Sequence, residues 1–217
     1  MFSCRVPFFT TVLASLLFIT TIPARSCYSG LTIIPTADVV GASQYSLDLQ
    51  SDGSLPVPRA DLYLLNTEIG IGDRFETGID FDLSEDADPR VLFNAKYVLA
   101  RDAGCTRALA VGISNLAEGV KSVPYVAGTA GLQAFRLHLG MLHQEGQDRW
   151  FAGVDRDLTE KVNLCVDYTN GDENYSSVGV GYQFTESTGI SAGVLFPNGG
   201  GDTEFTLHLV IGGSYRK

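Results

Sequence analysis

The sequence predicts an all-β fold, an antiparallel up-and-down transmembrane β-barrel of about twelve strands. Short segments alternate apolar and polar residues, the links between them alternate in length, and aromatic residues cluster near the segment ends. No amphipathic helix of any length interrupts this pattern. We divide the chain into an export signal (1–26), an N-terminal segment that leads into the barrel (27–43) and the barrel itself (44–217).

Residues 1–26 have the features of a cleaved secretory signal peptide. Arg5 provides a basic start, an uncharged run follows it, and small residues at Ala24 and Ser26 suit a signal peptidase. A membrane anchor is less well supported, because two prolines shorten the usable helix and no basic flank follows. A third interpretation makes Cys27 a lipidated N-terminus.

The charge balance excludes nucleic acid as a partner. The formal net charge is −10, and loss of Arg5 and Arg25 from the 15 basic residues leaves 13 against 25 acidic ones, so the mature net charge is −12. Binding to phosphates requires a basic surface instead.

The cysteines indicate neither a disulfide framework nor a metal site. Cys27, Cys105 and Cys165 remain after cleavage, an odd number without a Cys/His spacing that suits a metal. Cys27 and Cys105 fall at the same end of the predicted barrel, where an oxidising compartment would allow a disulfide between them. We expect no metal and no cofactor.

The period-two alternation is clearest in four segments, each with apolar residues on one face and polar residues or glycine on the other. The residues on their apolar faces are Phe75, Thr77, Ile79, Phe81; Val162, Leu164, Val166, Tyr168; Val178, Val180, Tyr182, Phe184; and Phe205, Leu207, Leu209, Ile211.

The links between strands alternate between tight and long. The tight links are 71–74, 158–161 and 185–189, and the long polar ones are 51–59, 83–90, 144–149, 170–174 and 197–202. A meander with this rhythm places all of its long loops at one end, as outer-membrane barrels do.

A soluble secreted β-sandwich with a binding role is an alternative fold for the same pattern. The placement of aromatic residues favours the barrel, because amphipathic rings collect at the two membrane interfaces. These residues, all on the apolar face near strand ends, are Tyr45, Phe75, Phe81, Tyr97, Tyr168, Phe184, Phe196 and Phe205.

The opposite face predicts a narrow, polar lumen. It combines charged residues with many glycines, and glycine within strands indicates bending or close approach of neighbours. The predicted lumen cluster is Asp48, Glu76, Asp80, Asp82, Lys96, Arg136, His138, Asp167 and His208. We expect Lys96 and Arg136 to balance Asp80 and Asp82.

The lead-in segment contains GLTIIPTADVVG (30–41), in which Pro35 removes a backbone donor and prevents a regular strand. We expect it to run extended before the first full strand. It would either fold Ile33 and Ile34 into the base of the lumen or pair at the rim.

The same stretch, followed by Tyr45-Ser46-Leu47-Asp48-Leu49, resembles the start of YjbH-like proteins, a bacterial outer-membrane β-barrel family linked to exopolysaccharide production and export. The resemblance continues, in order, through GDRFETGIDF (72–81), FNAKYVLA (93–100), ALAVGISN (108–115), FRLHLGML (135–142) and residues 151–184. It implies a location in the outer membrane of a Gram-negative-type bacterium. It also implies outer-membrane lipid as a partner, together with surface polysaccharide or its export machinery.

The sequence therefore predicts a non-enzymatic barrel with a role in the cell envelope and no catalytic residues. The alternative is a barrel enzyme that acts on lipid or glycan through His138 or His208, paired with Ser, Asp or Glu. Histidines at such positions more commonly pack the lumen as polar residues. The sequence contains no nucleophile elbow, HExxH motif or Walker-type loop.

Overall fold

The computed structural model describes residues 30–57, 59–84, 90–104 and 106–215, which form twelve β-strands. The strands are β1 (Gln44–Ser54), β2 (Arg59–Ile71), β3 (Phe75–Asp82), β4 (Val91–Arg101), β5 (Arg107–Leu116), β6 (Val123–Gly131), β7 (Arg136–Gln144), β8 (Gln147–Asp157), β9 (Val162–Thr169), β10 (Tyr175–Gln183), β11 (Thr188–Pro197) and β12 (Glu204–Ser214). Within this part of the chain, no helix is long and apolar enough to cross a membrane. The predicted signal, residues 1–26, lies outside the described residues.

The strands form one closed antiparallel barrel. Each strand pairs with its neighbours in sequence, and β1 also pairs with β12, with Leu47 opposite Ile211 and Leu49 opposite Leu209. Closure removes the unpaired edges that an open sheet would expose. The predicted barrel of about twelve strands is confirmed, and the alternative of a two-sheet sandwich is wrong.

The two faces of the wall differ as the alternation predicts. Large apolar side chains point outward, and Leu49, Met141 and Trp150 are each about half exposed, at 47%, 50% and 50%. Inward positions carry buried polar groups such as Glu76 and Lys96. A chain that folds alone in water would bury the apolar set instead, so the wall is inverted relative to a soluble protein.

Outward aromatic residues occupy both ends of the barrel. Links 83–90, 117–122 and 198–203 lie at one end, the long-loop end. There the ring centroids of Trp150 and Tyr168 lie 5.1 Å apart, with the rings tilted by 47°. At the opposite end, where the chain enters β1 and leaves β12, Tyr182 packs edge-on at 5.2 Å from Phe184. We call this the terminal end.

Two links differ from the sequence prediction of long loops. The predicted loop 144–149 is a two-residue hairpin, in which Glu145 (φ 54°) and Gly146 (φ 79°) connect β7 directly to β8. Positive φ at both central residues defines the type I′ turn that matches the twist of paired strands. The predicted loop 51–59 is also shorter, because β1 continues to Ser54 and β2 begins at Arg59.

Candidate functional site

All nine residues of the predicted lumen cluster occupy inward-facing strand positions. Glu76, Lys96, His138 and Asp167 are buried, whereas the other five, Asp48, Asp80, Asp82, Arg136 and His208, are partly exposed. They do not form one cluster. The structure distributes them over separate groups around the barrel wall, and three of these groups hold a piece of chain inside the lumen.

That piece is residues 30–41, hereafter the inner segment. It lies inside the barrel and ends where the chain turns into β1. Ile34 is 2% exposed, Thr36 is fully buried and Ala37 is 1% exposed. Its start is compact, because Leu31 N donates to Ile34 O at 2.9 Å and Gly30 bridges Pro35. Of the two placements considered from the sequence, the structure has the one within the lumen.

The inner segment packs against the wall through two small apolar clusters. The first is Ile34 with Ala127 and Phe151, and the second is Ala37 with Val98 and Ala110. These contacts join the segment to inward positions of five strands, β4, β5, β6, β8 and, through hydrogen bonds, β9.

Glycines on the inner wall make room for the segment. A Cβ atom at Gly153 would lie 2.6 Å from Ile34 Cδ1 and 2.8 Å from Leu31 Cδ1. Cβ atoms at Gly179 and Gly193 would both overlap Thr32. The lumen glycines noted in the sequence thus mark the surface against which a second backbone approaches.

A buried polar network anchors the segment at Asp38. Arg136 Nη1 donates to Asp38 Oδ2 at 2.7 Å, while Arg136 Nε donates to Asp155 Oδ1 at 3.0 Å. His138 Nε2 lies 2.7 Å from the same Asp155 oxygen, and His138 Nδ1 lies 2.9 Å from Thr129 Oγ1. The Thr129 hydroxyl also accepts from the backbone of the inner segment, at Ala37 N, 3.1 Å away.

A second anchor lies across the lumen on β3 and β4. Glu76 Oε2 accepts from Val40 N at 2.6 Å, and Lys96 Nζ donates to Asp38 O at 2.7 Å. Lys96 Nζ lies 3.4 Å from Glu76 Oε1, so the two buried charges compensate each other while both hold the segment.

The third anchor is Asp167 on β9. Its Oδ2 accepts from Thr32 N at 2.8 Å and from Ile33 N at 3.4 Å, and its Oδ1 accepts from the Ser177 hydroxyl. Cys165, the free cysteine among the described residues, lies beside it with Sγ 3.2 Å from Thr32 Oγ1.

Asp80 and Asp82 do not balance Lys96 and Arg136, so this expectation is wrong. Asp80 Oδ2 accepts from Asn94 Nδ2 at 2.5 Å, and Asp82 Oδ1 accepts from Ser84 N at 3.0 Å. The two cations have closer partners, because the inner segment brings Asp38 into the lumen.

His208 belongs to a chain of hydrogen bonds across the β1–β12 seam. Asp48 Oδ2 lies 2.8 Å from His208 Nδ1, and His208 Nε2 lies 2.8 Å from Thr206 Oγ1. The Thr206 hydroxyl donates to Asp52 Oδ1 at 2.5 Å. The order carboxylate, imidazole, hydroxyl resembles a hydrolase triad, but here the hydroxyl proton goes to a second carboxylate and not to the imidazole that would have to remove it.

Beside the inner segment, the lumen retains a cavity of about 570 Å³. One side is formed by residues 30–35 of the segment, and the rest by inward positions of the wall. Along β10 it extends from Tyr175, at the long-loop end, to Gly181, near the terminal end. Most of its polar lining consists of uncharged side chains with hydroxyl or amide groups: Ser46, Gln50, Asn66, Thr77, Asn94, Ser114, Asn115, Gln144, Asn163, Thr169, Asn174, Ser191 and Thr206.

The charged groups on the cavity lining are predominantly acidic. They are Asp48, Glu68, Glu76 and Asp80 against Lys96, with His208 held between Asp48 and Thr206. Lys96 is buried against Glu76, so its charge is locally compensated. Thr129, His138 and Asp155 do not line the cavity.

Sequence reasoning missed three residues that complete these networks, Asp38, Thr129 and Asp155. The last two share the inward parity of their strands, so the alternation that selected Arg136 and His208 was sufficient to find them. Asp38 carries no such signal, because it precedes the first strand.

One sequence prediction falls outside the part of the chain that the structure describes. Cys27 and Cys105, the predicted disulfide, lie outside the described residues. Within the described residues, no group of three or more His, Cys, Asp or Glu is arranged to hold a metal ion.

No family model matches the chain, and no curated protein matches it either, so the resemblance to YjbH-like proteins stays a prediction. Solved structures do match. A KdgM porin is 13% identical, with 76% of this chain and 98% of that chain covered and a TM-score of 0.57. A KdgM porin in complex with disordered oligogalacturonate is 12% identical, with 79% and 99% covered and a TM-score of 0.56. A NanC porin is 10% identical, with 80% and 100% covered and a TM-score of 0.51. At these identities the likeness concerns architecture, and the chain has the closed barrel fold of these porins.

Proposed function

We propose that this chain is a non-enzymatic outer-membrane channel that passes small hydrophilic solutes of neutral or positive charge. The observation that carries the proposal is the combination of an apolar outer wall with a polar cavity of about 570 Å³ inside a closed barrel. Such a molecule presents an apolar surface to lipid and a hydrated one to its contents.

The dimensions of the wall support a position in a membrane. A tilted strand needs about 9–11 residues to cross the hydrocarbon core. The strands here have 8 to 13 residues, and aromatic residues lie at both of their ends on the outer face. Together with the predicted export signal, these features support the bacterial outer membrane as the location.

The charge of the lining supports the class of solute. Four carboxylates and one lysine line the cavity. Glu76 and Lys96 pair with each other, so Asp48, Glu68 and Asp80 remain in excess, and in a narrow lumen such an excess repels anions and attracts cations. The amide and hydroxyl groups between them suit the hydroxyl groups of neutral solutes. Oligogalacturonate, which the KdgM porin holds, bears carboxylates, so we expect this chain to exclude it.

The two histidines argue against a barrel enzyme. His138 is fully buried, away from the cavity, with both ring nitrogens within 2.9 Å of Thr129 and Asp155. His208 does line the cavity, but the neighbouring hydroxyl of Thr206 is committed to Asp52. We therefore assign both histidines to the internal support of the barrel.

The experiment that tests the proposal begins with fractionation of cells that express the full chain. Heat-modifiable protein in the outer-membrane fraction, extracted only with detergent, supports the location. Purified protein in a planar lipid bilayer should then give discrete conductance steps. Recovery in the aqueous fraction without detergent, or a silent bilayer, would contradict the proposal.

A connection with exopolysaccharide production or export is a second, separate proposal that rests on the resemblance to YjbH-like proteins. Its partners would be surface polysaccharide or the machinery that exports it. Deletion of the gene should lower the amount of exopolysaccharide at the cell surface, and complementation should restore it. An unchanged amount would remove this connection and leave the channel proposal intact.

A further inference from the structure

We propose that the inner segment, residues 30–41, is a permanent wall of the conducting pathway, and that it sets the size limit for solutes without leaving the lumen. This inference rests on the proposed channel function. It assigns a specificity-determining role to residues that lie outside the barrel strands.

The anchors of the inner segment lie on several strands spread around the lumen. The backbone of the segment is held by Asp167 on β9, Thr129 on β6, Glu76 on β3 and Lys96 on β4, while its Asp38 side chain is held by Arg136 on β7. Contacts on five strands around the lumen must be released together before the segment can move out. A plug that opens would be expected to depend on fewer contacts.

The inner wall of the barrel fits the shape of the inner segment. Gly153, Gly179 and Gly193 lack side chains at the positions where Leu31, Thr32 and Ile34 approach. If the segment were displaced, these positions would leave a shallow groove, and the side chains of Ile34 and Ala37 would lose the apolar contacts that now bury them. The wall and the segment are therefore complementary in shape.

The inner segment itself lines the cavity. Residues 30–35 form one side of it, whereas Thr36 is buried and does not face it. The acidic groups of β1 and β3 line the same cavity, so a solute inside it is close to both the segment and these groups. The segment therefore limits the width of the cavity.

The proximity of Thr32 to Cys165 provides a direct test. Thr32 Oγ1 lies 3.2 Å from Cys165 Sγ, so a sulfur at the same position needs to move by about 1 Å to form a disulfide of about 2.05 Å. The variant Thr32→Cys, with Cys27→Ser and Cys105→Ser to remove other thiols, would lock the segment to β9 when oxidised. The matched control has the same two serine substitutions and retains Thr32.

The bilayer conductance of the locked variant separates a wall from a plug. We expect oxidised and reduced Thr32→Cys to show the same unitary conductance, because the segment stays in place while ions pass. Loss of current on oxidation that dithiothreitol restores, with no such change in the control, would overturn the inference and leave the channel function intact. If the control itself gave no current, the proposed function and this inference would both fail.

A second variant tests whether the segment lines the pathway. Ile33→Cys, in a background with Cys27, Cys105 and Cys165 all changed to Ser, should lose conductance stepwise when a charged methanethiosulfonate reagent is added. Thr36→Cys in the same background should lose none, because position 36 is fully buried. No loss at position 33, with modification verified by mass, would also overturn the inference.

Discussion

At the residue scale, the stability of the lumen depends on carboxylates that collect several donors. Asp155 is the clearest case, since its side chain is 2% exposed and receives Arg136, His138 and Asn163. Burial of this charge is tolerable only because the donors surround it. The same residue links the inner segment to the wall, through Arg136 and Asp38.

Asp155→Asn should destabilise the barrel strongly. The amide removes the negative charge and points an N–H group at one of the donors, which leaves Arg136 undercompensated. Loss of one partner from a buried ion pair costs about 3–5 kcal/mol, and we expect a decrease of that size in the free energy of unfolding. Urea unfolding of the detergent-solubilised protein measures it.

Asp61→Asn is the matched control, because Asp61 pairs at 3.0 Å with Arg59 on the exposed surface. There the change in unfolding free energy should stay within about 0.5 kcal/mol. Equal effects at positions 61 and 155 would show that the buried network does not support the barrel.

Gly153→Val should cost stability because the valine side chain would occupy the space of Ile34 and Leu31. Overpacking of this kind costs about 1–3 kcal/mol. Gly128→Val is its control, since a Cβ atom there would have no neighbour closer than 3.6 Å. The account is contradicted if both variants unfold at the same urea concentration.

Alternation along a strand predicts which face a residue occupies but not which partner it binds. It selected nine polar residues that occupy inward-facing strand positions, because a strand in a barrel has only two faces. It could not assign their partners. Arg136 pairs with Asp38 and not, as the sequence predicts, with Asp80 or Asp82. Asp38 lies outside the strands, so strand alternation could not predict this ion pair.

At the element scale, the strands follow from local sequence, whereas the inner segment does not. Alternating positions such as Val178 and Val180 fix both the strand and its face. The inner segment has neither helical nor strand periodicity, and Pro35 breaks any ladder, so its location depends on distant glycines and carboxylates. The glycines on the inner face indicated that another part of the backbone approaches the wall. They did not identify that part as the inner segment.

The hairpin between β7 and β8 illustrates a second limit of sequence patterns. Asn-Gly and Asp-Gly are the strong signals of a type I′ turn, and Glu145-Gly146 is a weaker one inside a polar stretch that reads as a loop. In the structure β7 and β8 pair fully up to Gln144 and Gln147, so strand pairing determines the short turn.

Gly146→Ala should destabilise this hairpin, because Gly146 has φ of 79° and a Cβ atom is disfavoured there. The expected cost is about 1–2 kcal/mol in unfolding free energy. Gly104→Ala, in the exposed link between β4 and β5, serves as control, since its Cβ would make an ordinary 3.7 Å contact with Thr106. A neutral Gly146→Ala would contradict the turn assignment.

At the scale of the whole molecule, three layers determine the space inside the barrel. The outer wall is apolar, the inner wall is polar and acidic, and the inner segment fills part of the space between opposite strands. The barrel was predictable from alternation and link lengths, since an even number of amphipathic strands joined by alternately short and long links is typical of outer-membrane barrels. The volume of the remaining cavity could not be predicted, because it depends on how the inner segment packs against the wall.

The proposed channel function requires that this acidic cavity conducts and prefers cations. The most direct test is the reversal potential of the wild-type protein in a planar lipid bilayer that separates two KCl concentrations. We predict a reversal potential shifted toward the potassium equilibrium value, and a smaller shift for Glu68→Gln combined with Asp80→Asn. A reversal potential at zero or shifted toward the chloride equilibrium value, or the absence of any current, would contradict the account.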